Sequence, residues 1–506
     1  MRTWGPLTAV CLGTFMLLLD VTIAVVALPD MARALHASLS DLQWVIDGYA
    51  LALAALLLGV GAAADILGRR RVHVAGVVLF AVASLLCGLA SGPGMLVAAR
   101  GLQGVGAAAM LATTLPLLGS VYQGRERSTA LGVWGAVSGG AAAVGPVLGG
   151  LLTEGPGWRW IFFVNLPVSV ASVWLTLRVV PESRGARGMG VPPRERSRAW
   201  GRVDWAGTVA FACFAGATTY GVVRAGSDGW TSGVVTGWFA AAALALVAFV
   251  LVERRVAHPL LDLSLLRKPA FVGVLAGALA FNGVAFGVIP YLSIWMQTVL
   301  GMSPVRGGLT LLPLTGATMV VAILAGKLLH GVPARLTIGG GLLLIGSGAF
   351  CQAVLDAGTG WTVLVPGLVL VGIGTGFVSP AIAGAALAAV PPERAGMASG
   401  AVNTVRQLGY ALGVAVFGTV LTSRMQDTLS HDAAHTLSGG GAGALRGPLS
   451  EHTLRAAFAS GLDSASVAAG VTGMVAGALV LVLVRTPRAV TDTAEAPAKR
   501  ATASRA

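Results

Sequence analysis

The chain has 506 residues, 55% of them hydrophobic and only 11% charged, with a mean hydropathy of +0.81. Soluble proteins carry about 25% charged residues, so a water-soluble globular architecture is excluded, and the structural unit is an apolar helix of about 20 residues. The net charge of +13 admits either a nucleic-acid surface or a membrane-topology signal, and the placement of the charges separates the two.

Taken in chain order, apolar runs long enough to span a bilayer fall at 7–28, 42–64, 72–90, 95–121, 130–152 and 161–180. The first outlasts a signal-peptide core, despite a cleavage-like Ala32 and Ala34, and reads as a retained helix. Past an Arg-, Gly- and Pro-rich linker come 205–223 and 234–252, and past a second basic linker 270–292, 308–329, 336–355, 362–390, 402–422 and 466–484. Fourteen spans put both termini on one face. The loops on that face hold 24 basic residues, among them Arg69, Arg70, Arg71 and the arginines of 184–202, against 7 on the other face. The positive-inside rule makes the termini cytoplasmic, and the basic excess becomes a topology signal with lipid headgroup contact rather than a nucleic-acid surface.

Spacing repeats between the halves. Gly61, Asp65 and Arg70 after the second span are echoed by Gly326, His330 and Arg335 after the tenth, and Gly104, Val105, Gly106 by Gly372, Ile373, Gly374. Duplicated halves around a midplane site are the pattern of secondary transporters. The expected architecture is an all-α polytopic membrane protein: a six-helix bundle at 1–180, cytoplasmic linkers with two inserted helices at 181–269, and a second six-helix bundle at 270–485. That second bundle includes an outer loop at 424–462, and a cytoplasmic tail follows at 486–506.

Charged groups inside hydrocarbon are costly, about 2.5–3.5 kcal/mol each on insertion scales, so Asp20, Asp47 and Arg100 are functional candidates. Counted at ~1.5 Å per residue, all three lie at similar depth, which permits pairing. Asp20 reads as a proton carrier with Arg100 as its switchable partner, the alternative being a static pair that orients helices. Asp47 is either a third member of the set or an interfacial anchor beside Trp44 and Tyr49. In the fifth span Gly145, Pro146, Gly149 and Gly150 mark a bend or a gating surface.

Other features point away from catalysis. Cys11, Cys87, Cys213 and Cys351 sit in apolar stretches and read as buried small hydrophobes. His431, His435 and His452, beside Gly439, Gly440 and Gly441, read as a flexible solvated loop rather than a metal site. No phosphate-binding GxxxxGK[ST] loop and no nucleophile, base and metal set are present, so neither a cofactor nor enzymatic activity is expected.

These residues resemble the 14-span drug/proton antiporter family of the major facilitator superfamily. Gly61 through Arg70, read as Gly61, Ala62, Ala63, Ala64, Asp65, Ile66, Leu67, Gly68, Arg69 and Arg70, are similar to its cytoplasmic motif GxLaDrxGrk, with Ile66 replacing the first basic residue. Arg100, Gly101, Leu102, Gln103 and Gly104 are similar to its fourth-span motif. Gly145, Pro146, Val147, Leu148, Gly149 and Gly150, with Gly132 upstream, resemble its fifth-span antiporter motif, although Ala141 stands where a glycine is usual. Leu19, Asp20, Val21, Thr22 with Ala27, Leu28, Pro29 resemble its first-span signature, and Trp158 through Pro167 the start of its sixth span. In the second half the resemblance covers Tyr291 to Gln297, Gly301 to Pro304, Gly396 to Gly400, and Asn403, Arg406, Gln407 and Gly409.

The resemblance implies a proton-coupled exporter of antibiotics or lipophilic drugs working by alternating access. Asp20, Asp47 and Arg100 would couple protons; Gly61, Asp65, Gly68, Arg69 and Arg70 would gate the cytoplasmic side; and Gly132, Gly145, Pro146, Gly149 and Gly150 would form the antiporter motif. Polarity alone nominates Trp44, Tyr49, Asn282, Tyr291, Gln297, Asn403 and Arg406 as cavity liners. The expected partners are a small-molecule substrate, protons and membrane lipids, with no nucleic acid and a monomeric chain. Spans ten and thirteen lack the carboxylates that some relatives use for dications, so neutral or monovalent lipophilic compounds are expected. The competing readings are a dedicated exporter of one metabolite, an uptake symporter, and a non-transporting membrane sensor.

Overall fold

The computed structural model describes residues 4–184, 203–256, 259–328, 332–388, 390 and 395–484. Among these, fourteen helices are long and apolar enough to cross a membrane. They are α1 (Gly5–Leu35), α2 (Leu39–Leu67), α3 (Arg69–Gly88), α4 (Pro93–Val121), α5 (Gly124–Glu154), α6 (Trp160–Val179), α7 (Trp205–Asp228) and α8 (Gly233–Arg255). The second half holds α9 (Pro269–Val299), α10 (Pro304–Leu324), α11 (Ala334–Gln352), α12 (Trp361–Ala386), α13 (Ala395–Met425) and α14 (Glu451–Leu483).

Hydrocarbon offers the backbone no water, so each span satisfies its amides internally and its ends need explicit stops. Proline at the first turn opens α4, α9 and α10, where the missing N–H costs nothing. His36, at φ 52°, ends α1 in the left-handed region, with its N–H on Ala32 O. Ser38 and Asp41 then start α2 reciprocally, Ser38 Oγ accepting from Asp41 N (3.2 Å) and Asp41 Oδ2 from Ser38 N (2.8 Å).

The two halves repeat their packing atom for atom at the glycines. A Cβ on Gly104 of α4 would overlap Tyr49 O and lie 2.9 Å from Ala52 Cβ on α2, whereas one on Gly372 of α12 would overlap Leu314 O and lie 2.9 Å from Ala317 Cβ on α10. Gly106 presses on Gly76 and Phe80 of α3; Gly374 presses on Gly341 and Ile345 of α11. Only small residues let these backbones meet. Of the other echo, the surroundings of Gly326 and all of His330 lie outside the described residues.

The inserted pair α7–α8 lies along the seam between α2 of the first half and α13 of the second. Thr208 of α7 packs on Gly59 of α2, Trp44 of α2 meets Tyr220 of α7 with ring centroids 5.8 Å apart, and Thr419 Oγ1 of α13 donates to Val222 O of α7 at 3.0 Å. α8 packs on α7, its outer face apolar and exposed as a lipid-facing surface requires.

Two expectations are corrected here. The segment 424–462 is not an open solvated loop: it forms short helices at His431–Ser438 and Ala442–Leu445, and α14 reaches back to Glu451, capped by Ser450. Ala434, Leu437, Leu454, Ala457 and Phe458 are buried in the main core, so apolar residues at helical spacing outweighed the flanking glycines. The second correction concerns the cysteines. Cys11 and Cys87 are buried, but Cys213 and Cys351 are exposed on the outer faces of their spans, and all four are free.

Candidate transport site

α1, α4 and α6 converge on Asp20, which is wholly buried. Arg100 NH1 donates to Asp20 Oδ2 at 2.5 Å, while Gln103 Nε2 and Asn165 Nδ2 donate to Oδ1 at 2.8 and 2.9 Å. Both amides also donate to Ser84 Oγ of α3, at 2.9 and 3.3 Å. Arg100 is equally enclosed: NH1 reaches Gln103 Oε1 (2.7 Å), Nε reaches Val45 O (3.0 Å), and its guanidinium lies 4.4 Å over the Tyr49 ring. A buried ion pair is tolerated only when further hydrogen bonds saturate both partners, as here. Removing the charge on one side of such a pair costs about 3–5 kcal/mol.

Similar depth therefore brings together two of the three charged candidates. Asp47 stays apart: it has no exposed surface, and neither carboxylate oxygen has a hydrogen-bond partner. This burial removes the interfacial-anchor reading. Asp47 sits on α2 one turn from Gln43, whose Nε2 donates to Tyr291 OH of α9 (2.9 Å), which in turn donates to Val414 O of α13 (2.5 Å). It thus lies on the seam between the halves, while Asp20 and Arg100 are both inside the first.

At the opposite end of α2, Asp65 accepts Arg69 Nε at 3.0 Å. Gly68 has φ +117°, and a Cβ there would strike Glu182, which accepts Arg70 N at 3.0 Å and stands 3.6 Å from Arg71 Nε. The α2–α3 turn is thereby clasped to the chain leaving α6, and glycine is required at 68 by both backbone and space. Gly61 is looser, its nearest neighbour being Ala112 Cβ at 3.7 Å.

The fifth-span glycines form two contact surfaces. Gly145 and Gly149 press on Thr22 and Ile23 of α1, whereas Gly150 presses on Pro304 and Val305 of α10, and Gly308 of α10 on Pro146. Gln297 of α9 closes the same end by donating to Val26 O at 2.8 Å. Toward the termini the α5–α10 seam opens. Gly135, Gly139 and Gly140 of α5 and Gly316 of α10 have nothing within 4 Å, and Ile323 is 62% exposed. The backbone of Gly132 belongs to α5; its surroundings lie outside the described residues.

Between the two six-helix halves, α5 and α10 are thus in glycine contact at the face remote from the termini and part toward the termini, while α2 and α13 stay in contact there through Leu58 and Gly400. Comparisons with known proteins identify the fold. The model of the Major Facilitator Superfamily matches residues 10–252 and again 188–414. The chain belongs to the major facilitator superfamily. Among curated facilitators, it is 36% identical over 472 residues to the multidrug resistance protein Stp of Mycobacterium tuberculosis, covering 93% of this chain and 83% of that one. It is 33% identical to the tetracenomycin C resistance and export protein of Streptomyces glaucescens (95% and 91% covered) and 37% to the puromycin resistance protein pur8 of Streptomyces alboniger (91% and 89%). Among solved structures, a bacterial homologue of the human lysosomal transporter Spinster, described as inward-facing and unoccupied, superposes with a TM-score of 0.61 over 95% of this chain and 96% of that one. At 20% identity that likeness concerns the fold alone.

Within this facilitator the polarity-based cavity set does not form one lining. Tyr49 and Tyr291 are sealed in packing, Trp44 faces the inserted pair, Gln297 bolts the closed end, and Asn403 Nδ2 turns back to Ser399 O (3.1 Å). Asn282 and Arg406 do meet, Arg406 Nε donating to Asn282 Oδ1 at 3.2 Å with the guanidinium 5.3 Å from the Phe281 ring; no carboxylate pairs with it among the described residues. Polarity could not separate these cases because a polar side chain in a span bonds another helix as readily as it faces a cleft. Ser84 and Glu182 were absent from the expected site, and Gln103 and Asn165 figured only as motif letters. Their signal was polar atoms at the depth of Asp20, and for Glu182 a lone acid opening an arginine-rich linker.

Proposed function

We propose that this transporter exports lipophilic antibiotics or drugs from the cytoplasm in exchange for protons. The reading rests above all on the buried nest around Asp20. A carboxylate held by one guanidinium and two amides has two stable arrangements: ionised and bound to Arg100, or protonated with Arg100 released to its other acceptors, Val45 O and Gln103 Oε1. Moving one charge across 100 mV is worth about 2.3 kcal/mol, which such a switch harnesses when proton loading and release occur on opposite faces. Asp47, on the seam, is the second proton-exchanging group, taking up its proton where the seam parts and holding it where the seam closes.

Export is supported by the relatives, which are named as resistance and export proteins, and by the α5 contact that shuts the face remote from the termini. Termini on the cytoplasmic side, which the distribution of basic residues supports, make the end where α5 and α10 part the loading end. Arg406 and Asn282 supply polar contacts for substrate. The absence of carboxylates in spans ten and thirteen supports neutral or monovalent cargo. Relatives named for a single antibiotic favour a second reading, export of one dedicated metabolite. The test is reconstitution in liposomes with an imposed pH gradient and a compound panel. Substrate should move against the proton flux in the wild type and not in Asp20→Asn. Uptake in the direction of proton flow would sink the proposal, and transport of a single panel member would select the dedicated exporter.

A further inference from the structure

At the ends of α7 and α8 on the face that carries the termini, two carboxylates meet away from water. Asp204, the N-cap of α7, and Glu253, in the last turn of α8, are each 5% exposed. One oxygen of each is used locally: Asp204 Oδ1 accepts Gly207 N at 2.7 Å, and Glu253 Oε2 accepts Leu261 N at 3.3 Å. The other two, Asp204 Oδ2 and Glu253 Oε1, are buried and have no partner. They border the same space, since a Cβ placed on Gly207 would overlap Asp204 Oδ2 and stand 3.0 Å from Glu253 Oε1. Glycine at 207 leaves that space free.

Among the described residues no salt bridge joins a cation to either carboxylate. Arg254 and Arg255 on α8, and Arg267 and Lys268 on the following linker, are exposed. α2 offers Ala62, Ala63 and Ile66 here, its Asp65 being engaged by Arg69, and Asp262 caps the helix Leu263–Arg267 by accepting Ser264 N at 2.8 Å. From α13 comes Met397, whose sulfur accepts Asp262 N at 3.2 Å. Two carboxylates facing one dry space resist ionising together, whereas a proton on either supplies an O–H donor toward that space.

We propose that Asp204 and Glu253 bind one proton between them, and that this proton latches the inserted pair to both halves of the transporter. Val203, next to Asp204, packs on α2 beside the gating motif; Leu261, next to the oxygen-bound segment, packs with Leu265, Phe271, Ala398 and Ala401 of the second half. Loss of the proton sets two charges against each other and loosens the linker 259–265. The latch is separate from Asp20 and Asp47 and answers to the pH of the face that carries the termini.

The test uses the full chain in lipid nanodiscs, in an Asp47→Asn background that removes the carboxyl with no hydrogen bond on either oxygen. A protonated-carboxyl stretch in the infrared spectrum should titrate away on raising the pH, and should be lost in Glu253→Gln and in Asp204→Asn, which keeps the N-cap. Hydrogen exchange at amides 259–265, corrected for intrinsic rate, should speed up as the pH rises in the parent and stay slow and flat in Glu253→Gln, whose amide replaces the donor. An unchanged carboxyl band in both variants overturns the proposal. So does pH-independent linker protection in the parent, and so does protection that follows sodium or potassium at fixed pH instead of protons.

Discussion

Asp20 and Asp47 sit at matching depth on neighbouring helices, and their surroundings are opposite. Around Asp20, Arg100, Gln103 and Asn165 donate at 2.5–2.9 Å, so every oxygen is answered. Around Asp47 nothing donates, although it is equally buried. The difference follows from position: Asp20 lies inside one rigid half, where partners can be fixed permanently, and Asp47 lies on the seam, where neighbours change as the halves move. Under the proposed mechanism a proton reaches Asp20 only as Arg100 lets go, whereas Asp47 has no hydrogen bond to give up.

Breaking the first member of this comparison should have the largest effect. Asp20→Asn leaves Arg100 buried without its counter-charge and is expected to cost about 3–5 kcal/mol of unfolding free energy in detergent, together with all proton-driven transport. If Asp20→Asn kept the wild-type melting temperature and flux, the nest would be neither structural nor functional. Next comes the closed end of the seam against which Asp47 is read. Gly308→Leu, whose side chain would overlap the carbonyl of Pro146, should cost about 1–3 kcal/mol by overpacking. A melting temperature equal to that of the wild type would refute a tight seam.

Asp47→Asn sharpens the contrast. With no hydrogen bond to lose, it should change unfolding free energy by less than about 1 kcal/mol yet uncouple transport from the pH gradient. A loss as large as that of Asp20→Asn would mean that Asp47 has partners after all. The smallest expected effect concerns His435 in the folded outer segment. Burial, aided by the neighbouring His431, lowers its affinity for protons below the ordinary value of 6.5. The unfolded chain then binds more protons, so the stability His435 contributes is present above that value and declines as pH falls through it. His435→Gln should flatten this acid-side decline in a melting series.

Much of the fold was legible because the signals were local. Apolar run length located fourteen spans, and the glycine spacings around Gly104 and Gly372 announced equivalent packing on α2 and α10. The Asp20–Arg100 pair was legible from depth alone, since two opposite charges in hydrocarbon have few other options. The folded outer segment was less legible: Leu437, Leu454 and Phe458 sit among glycines and histidines, and their burial depends on a docking surface supplied by distant helices. The cavity residues were not legible at all, because polarity does not say which neighbour a helix face will meet.

The sequence by itself determined the number of spans, the distribution of basic charge about them and the chemistry available within them. These depend on segment length and composition, which the bilayer reads directly. Only the tertiary structure decided that Gln103, Asn165 and Ser84 complete the nest at Asp20, that Asp47 is left alone, that α7 bridges α2 and α13, and that Asp204 meets Glu253. Each of these depends on the rotation and register of one helix against another, fixed by close glycine contacts between residues far apart in the chain.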